Sequence, residues 1–261
     1  MCSSGTVRHL LYNIGPIAHL SAGDINLPLS GSKMSDRESL VHNSGLAVLI
    51  ENDKIISIDD SSKLCSEFGK ESISNSIEIT DCEGFAMIPG FVDCHTHLLW
   101  DGDRSNEMQL RNSGHSYKDI ANMGGGISKT VKATRTASEL RLAQLGKSRL
   151  LRALNFGTTT MECKSGYGLS TESELLLLSI IGQLNNQSTM DLHPTWLGAH
   201  DFPFDKSKES YFEDLLTNQL PQVISQGIAK WADVFCEPGW YNLEQTEEIV
   251  RAASKSNLPS R

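Results

Sequence analysis

Two histidines stand two residues apart in Pro89-Gly90-Phe91-Val92-Asp93-Cys94-His95-Thr96-His97, at the end of an apolar run that opens Phe85-Ala86-Met87-Ile88. In an extended strand, residues i and i+2 point to the same face, so both imidazoles can reach one cation from a single strand end. Neutral imidazole suits Zn, Fe or Ni. A divalent metal of that kind can acidify a bound water and act as a Lewis acid. An H-x-H spacing also arises by chance, as a pair of surface or hydrogen-bonding histidines. Its position favours ligation, because a Pro-Gly turn precedes it and a long, polar, glycine-bearing loop follows. Asp93 shares the strand parity of both histidines, so it is a candidate to orient an imidazole from behind, with an ordinary capping role as the alternative.

Three further places carry reactive or recognition groups. Arg104 lies on the loop just beyond the histidines. A planar guanidinium grips a carboxylate through two parallel hydrogen bonds, although an arginine on a polar loop is often simply solvated. Tyr167 sits between Gly166 and Gly168, a setting that lets backbone and phenol approach a ligand closely, or that merely turns a tyrosine onto a rim. His200 follows Gly198-Ala199 at the end of another apolar run. Its imidazole titrates near neutral pH and can donate or accept a hydrogen bond or carry a proton, although a lone histidine is more often structural. Gly124-Gly125-Gly126 lacks the spacing of a phosphate-cradling loop and does not follow a strand, so it reads as a flexible active-site loop. His115 and His193 have no partner at ligand spacing and read as structural.

These residues need elements to position them. Short β-branched or alternating runs over residues 6–20, 46–59 and 76–88, separated by Gly, Asn and Asp, predict a small β-domain. Ser21 to Ser44, rich in Ser, Gly and Asp, reads as an exposed loop. After Pro89 the rhythm changes to short apolar strands alternating with helical patterns, the mark of β/α units around a parallel sheet. The expected strands are Phe85 to His97, Thr158 to Cys163, Asp191 to Leu197 and Ala232 to Glu237. The expected helices run from about Ser138 to Asn155, from a cap at Ser170 or Thr171 with Glu174 nearby, over Lys208 to Gln226, and from Leu243 to Ser254. Each strand ends in a polar loop holding a candidate residue: His95 and His97, Tyr167, His200 and Glu237. Function sits at strand C-termini in β/α barrels. The reading is α/β: an N-terminal β-rich domain, a partial β-sandwich, over residues 1–84, and about four units, half of an eight-stranded TIM-like barrel, over residues 85–261.

Composition narrows the partners. With 261 residues, 39% of them hydrophobic, the chain can bury a sizeable core. A net charge of −9 argues against nucleic-acid or anionic-membrane surfaces. The apolar run Leu175 to Ile181 is far short of the roughly 18 residues that span a bilayer. The first twenty residues lack an uninterrupted apolar block, so the expectation is a soluble, cytoplasmic protein. Six cysteines without C-x-x-C pairs read as reduced thiols, mostly buried.

The sequence resembles the amidohydrolase superfamily and, within it, the imidazolonepropionase family. The match rests on Gly90 to His97, Gly102-Asp103-Arg104, Ser116-Tyr117 with Ile120, Gly124 to Ile127 with Thr130-Val131 and Ala133-Thr134-Arg135, Gly157 to Thr160, Lys164 to Gly168, and Leu197 to His200. The resemblance implies that His95 and His97 ligate one catalytic Zn or Fe. It implies that Arg104, Tyr167 and His200, with Tyr117 as a weaker candidate, bind the substrate. The implied reaction opens 4-imidazolone-5-propanoate with water to give N-formimidoyl-glutamate, in histidine degradation. Lys164 is not equated with the carbamylated lysine of two-metal amidohydrolases, which belongs to a later strand. The family's third histidine ligand, the acidic residue near it, a further catalytic histidine and a metal-binding aspartate also lie on later strands, so the catalytic residues are expected beyond Arg261. A truncated chain, inactive or poorly soluble alone, is therefore the expectation, since zinc sites normally take three protein ligands. A small-molecule substrate and a homodimer are the partners this reading admits. The alternatives are another cyclic-amide or deaminating amidohydrolase, or a noncatalytic interaction protein.

Overall fold

Apolar residues on alternate positions of short strands build the first part of the chain. The computed structural model describes residues 6–20, 24, 27–69, 77–116, 119–120 and 123–261. It divides into two units, Met1–Pro89 and Gly90–Arg261.

In the first unit, β1 (Arg8–Ile14) is followed by the short β2 (Ile17–Ala18), which pairs with β3 (Val41–His42). The hairpin of β4 (Leu46–Glu51) and β5 (Lys54–Asp60) turns at Asn52-Asp53, with Asn52 at φ 55°; a two-residue hairpin loop favours such left-handed residues. With β6 (Glu78–Asp81) the sheet order is β5-β4-β1-β6, and β1 is antiparallel to β4 but parallel to β6. Leu10, Ala47 and Leu49 pack with Ile77 and with Leu64 of the helix Ser61–Phe68. Ile14, Ile17 and Val48 form a second cluster. Ser21 to Ser44 is not simply a loop: it carries a 3-10 turn at Gly31–Ser35, the helix Arg37–Leu40 and β3. Its anchors are the buried Leu40 and an Asp36 cap that accepts from the Ser39 N–H.

The expected strand Phe85 to His97 is divided. Phe85 and Met87 hydrogen-bond to Gly15, Pro16 and Ala18 in the first unit. The first strand of the second unit, β7, is only Phe91–Asp93. Pro89 lacks an N–H and interrupts the ladder between them.

In the second unit β8 (Thr158–Lys164), β9 (Asp191–Ala199) and β10 (Trp231–Val234) join β7 in a parallel sheet of order β10-β9-β8-β7. The chain is thus a mixed α/β fold, a small β region followed by a partial β/α barrel. The expected helices fall where the 3.6-residue pattern puts them, and polar caps start them. Ser138 caps Glu139–Asn155, Ser170 caps Thr171–Gln187, and Asn242 with Gln245 forms a capping box before Leu243–Lys255. The stretch Lys208 to Gln226 is helical throughout, but its middle, Leu215–Gln219, winds as a π turn. Pro221, which cannot donate, follows that turn. Between β7 and β8, where a long polar loop was expected, two helices form at Asn106–Asn112 and Ile127–Thr136.

The two faces of the sheet differ. Met161, Cys163 and Leu192 pack on Leu142, Leu177 and Ile181 of the covering helices. Alternation then puts Glu162, Lys164 and Thr195 on the other face, all buried.

Candidate active site

Three rings meet beyond the C-terminal ends of adjacent strands. His97 follows β7, Tyr167 follows β8 and His200 follows β9. The imidazoles of His97 and His200 stack with centroids 4.6 Å apart and planes 18° from parallel. Tyr167 approaches His97 at 4.7 Å and His200 at 5.3 Å. His95 lies in a bend after β7 and lines the same ≈ 470 Å³ cavity as His97, Lys164, His200 and Asp233. The strand-parity argument therefore reaches a shared cavity without a strand, because β7 ends at Asp93. What carries the chain on is the Lys164 N–H, which donates to the Thr96 carbonyl at 2.9 Å.

Burial, reinforced by the neighbouring His200, pushes His97 down to about 3. Burial also lowers His200. Both rings are thus neutral at physiological pH, the state that ligates metals and accepts protons. His200 Nδ1 lies 2.8 Å from the Gly166 carbonyl. A carbonyl only accepts, so Nδ1 carries the hydrogen and Nε2 presents the lone pair.

The loop that presents Tyr167 is held from both sides. The buried Glu174 carboxylate accepts from the N–H groups of Gly166, Gly168 and Leu169 at 2.8, 2.7 and 2.9 Å. Its side chain turns to the loop while Ser170 alone caps the helix. Burial raises the Glu174 pKa, opposed by these hydrogen bonds. On the other side Arg135 donates to the carbonyls of Gly168 and Leu169, each at 2.6 Å. Gly166 has φ +103°, and a Cβ there would lie 2.9 Å from the Leu197 carbonyl and 3.0 Å from His200 Nδ1. Only glycine fits.

Arg104 lines a neighbouring ≈ 360 Å³ cavity with Tyr167, His200, Ile127, Phe235 and Trp240. Its Nε and Nη2 pair with the buried Glu107 carboxylate at 3.0 and 2.9 Å. Glu107 Oε1 also accepts from the Gly126 N–H at 2.8 Å, so one carboxylate ties the arginine to the glycine loop. Gly124 to Gly126 is thus anchored, and Gly126 begins the helix Ile127–Thr136.

Sequence reasoning missed Glu107, the loop-holding role of Glu174, and a buried charge cluster. Lys164 Nζ contacts Glu162 at 3.0 Å and Asp233 at 2.6 Å, and Thr195 donates to Glu162 at 2.7 Å. Alternation of 162 and 164 on β8 was the available signal. Asp93 accepts from the backbone N–H of His95 at 3.5 Å, a contact with the main chain and not with an imidazole. Among the described cysteines only Cys163 is buried; Cys94 and Cys236 are exposed and line the His95 cavity, against the expectation of mostly buried thiols. Tyr117 lies outside the described residues.

His95 and His97 border one cavity, and His97 Nδ1 is buried without a hydrogen-bond partner; imidazole nitrogens so placed fit a first-row divalent cation. No group of three or more His, Cys, Asp or Glu able to hold a metal occurs among the described residues. No helix among the described residues is long and apolar enough to cross a membrane.

No family model matches the chain. Curated relatives do. The chain is 40% identical over 251 residues to imidazolonepropionase from Thermoanaerobacter pseudethanolicus, covering 95% of this chain and 57% of that protein. It is 41% identical over 248 residues to the imidazolonepropionase of Caldanaerobacter subterraneus, covering 94% and 56%. The chain spans a little over half the length of these relatives. Among solved structures, a mutant of atrazine chlorohydrolase from Arthrobacter aurescens, complexed with zinc and atraton, is similar with a TM-score of 0.54 at 13% identity, over 97% of this chain and 52% of that one. The 5-methylcytosine deaminase of Klebsiella pneumoniae, liganded with 5-fluorocytosine, matches with a TM-score of 0.54 at 12% identity, over 96% and 50%. At these identities the likeness concerns the fold.

Proposed function

Over the residues it shares with them, the chain belongs to the imidazolonepropionase family of the amidohydrolase superfamily, and from that premise we propose that it carries the substrate-binding half of a cyclic-amide hydrolase site. The substrate is 4-imidazolone-5-propanoate and the product N-formimidoyl-glutamate. One observation carries the reading: Arg104, Tyr167 and His200 line one cavity, with His97 stacked on His200.

Each residue has a task set by its surroundings. Arg104, its orientation held by Glu107, receives the propanoate carboxylate. His200, its Nδ1 hydrogen committed to Gly166, accepts a ring N–H at Nε2 or takes up a proton there. Tyr167 offers its phenol from a loop clamped by Glu174 and Arg135, a preorganised donor. His95 and His97 would hold one Zn or Fe, which when bound supplies an activated water and a polarised carbonyl. The protein is read as cytoplasmic, and a homodimer remains compatible with it.

Binding tests the reading without depending on turnover. Calorimetric titration of the chain with imidazole-4-propanoate, a stable analogue, should show binding that Arg104→Lys weakens about tenfold, because an ammonium cannot make the paired bonds. Binding of 4-methylimidazole, which has no carboxylate, should be indifferent to that change. Equal affinity of Arg104→Lys and wild type for the carboxylate ligand would refute the assignment.

A further inference from the structure

The Arg104 cavity has a wall that the residues discussed so far do not make. Phe235 follows β10, and its ring meets His200 edge-on at 5.9 Å and 86°. Trp240 meets Phe235 edge-on at 5.5 Å and 74°. Both line the cavity together with Tyr167 and His200, and Phe235 stays 37% exposed although it is a large apolar ring.

The segment that carries these rings is rigidly built. Phe235 donates its N–H to the Ala199 carbonyl at 2.9 Å, which ties it to the end of β9. Glu237-Pro238-Gly239-Trp240 then closes a turn in which the Trp240 N–H donates to the Glu237 carbonyl at 2.9 Å and Gly239 has φ +96°. Proline before a left-handed glycine is the pattern of a type II turn, so the tryptophan backbone is fixed by covalent geometry. The Trp240 side chain hydrogen-bonds Asp201, and Tyr241 donates to the Asp201 carbonyl at 3.2 Å. Asp201 thus anchors both the indole and the tyrosine that follows it.

Resting on the reading above, we infer that Phe235 and Trp240 are specificity-determining residues that stack against the ring of the substrate, selecting a flat five-membered heterocycle whose carboxylate tail reaches Arg104. A planar π system gains from offset or edge contact with aromatic faces beyond the area it buries. An acyclic carboxylate of the same length would keep the arginine contact and lose the stack. Discrimination between ring and chain therefore belongs to these two residues, and discrimination for charge to Arg104.

Calorimetric titration of the full chain with imidazole-4-propanoate and with 4-methylimidazole tests this. Trp240→Ala should weaken both ligands about tenfold, and Trp240→Phe should stay within about threefold of wild type. Trp240→Leu, which restores apolar bulk without a π face, should behave like the alanine variant. Unchanged far-UV circular dichroism in the phenylalanine and leucine variants keeps folding out of the comparison. If the alanine and leucine variants bind both ligands as wild type does, while Arg104→Lys still weakens imidazole-4-propanoate, the aromatic wall is wrong and the substrate reading stands. If wild type binds neither ligand, both fall.

Discussion

Glu107 and Glu174 do comparable work at the two ends of the site. Each is a buried carboxylate that accepts a backbone N–H and thereby holds a neighbouring candidate side chain or its loop, Arg104 or Tyr167. The Arg104 guanidinium holds the Glu107 carboxyl below its ordinary value of 4.5. A depressed carboxylate stabilises the fold above its unfolded pKa and ceases to do so as pH falls through the folded one. Glu107→Gln should therefore cost about 1.5–3 kcal/mol at neutral pH, and the deficit should begin to shrink below about pH 4.5, where the unfolded-state carboxyl takes up a proton, and vanish as pH falls through the lower folded-state pKa. Denaturant titrations across that range measure it. A deficit that does not change with pH would mean that the charge contributes nothing.

At the scale of elements, two glycines separate steric demand from backbone demand. A Cβ on Gly198 in β9 would lie 1.9 Å from Gln219 Oε1 and 2.7 Å from Trp196 Nε1, atoms that share a buried hydrogen bond of 2.7 Å. Gly198→Ala should destabilise by about 2–4 kcal/mol through overpacking and loss of that bond. Gly227 ends the helix Leu220–Gln226 at φ +69° with nothing near its missing Cβ. Gly227→Ala should cost only about 1 kcal/mol, the strain of a left-handed alanine. Urea midpoints of the two variants give the contrast, and equal costs would contradict it. The strands β8, β9 and β10 were legible to within a few residues because their apolar alternation is local. The start of β7 was not, because residues before Pro89 pair instead with Gly15 to Ala18 in the first unit.

For the whole molecule, separate cores imply separate unfolding. Leu10 packs in the first unit and Leu178 in the second, both 0% exposed. All four tryptophans, Trp100, Trp196, Trp231 and Trp240, lie in the second unit. Leu10→Ala, costing about 2–5 kcal/mol, should shift the circular dichroism transition and leave indole fluorescence in place, whereas Leu178→Ala should move the fluorescence. Coincident shifts in both variants would show one cooperative unit.

The sequence by itself determined the chemistry on offer, through His95, His97, Arg104, Tyr167 and His200, and the β/α rhythm that sets each of them after a strand, because residue type and periodicity are local properties. Tertiary structure alone decided that Glu107, Glu174, Lys164 and Trp240 belong beside them. Their partners are chosen by burial and by close approach between segments far apart in the chain, as with Lys164 and Asp233 at 2.6 Å across 69 positions. A buried carboxylate must find donors wherever the fold brings them, and no spacing along one strand or helix records which donors those will be.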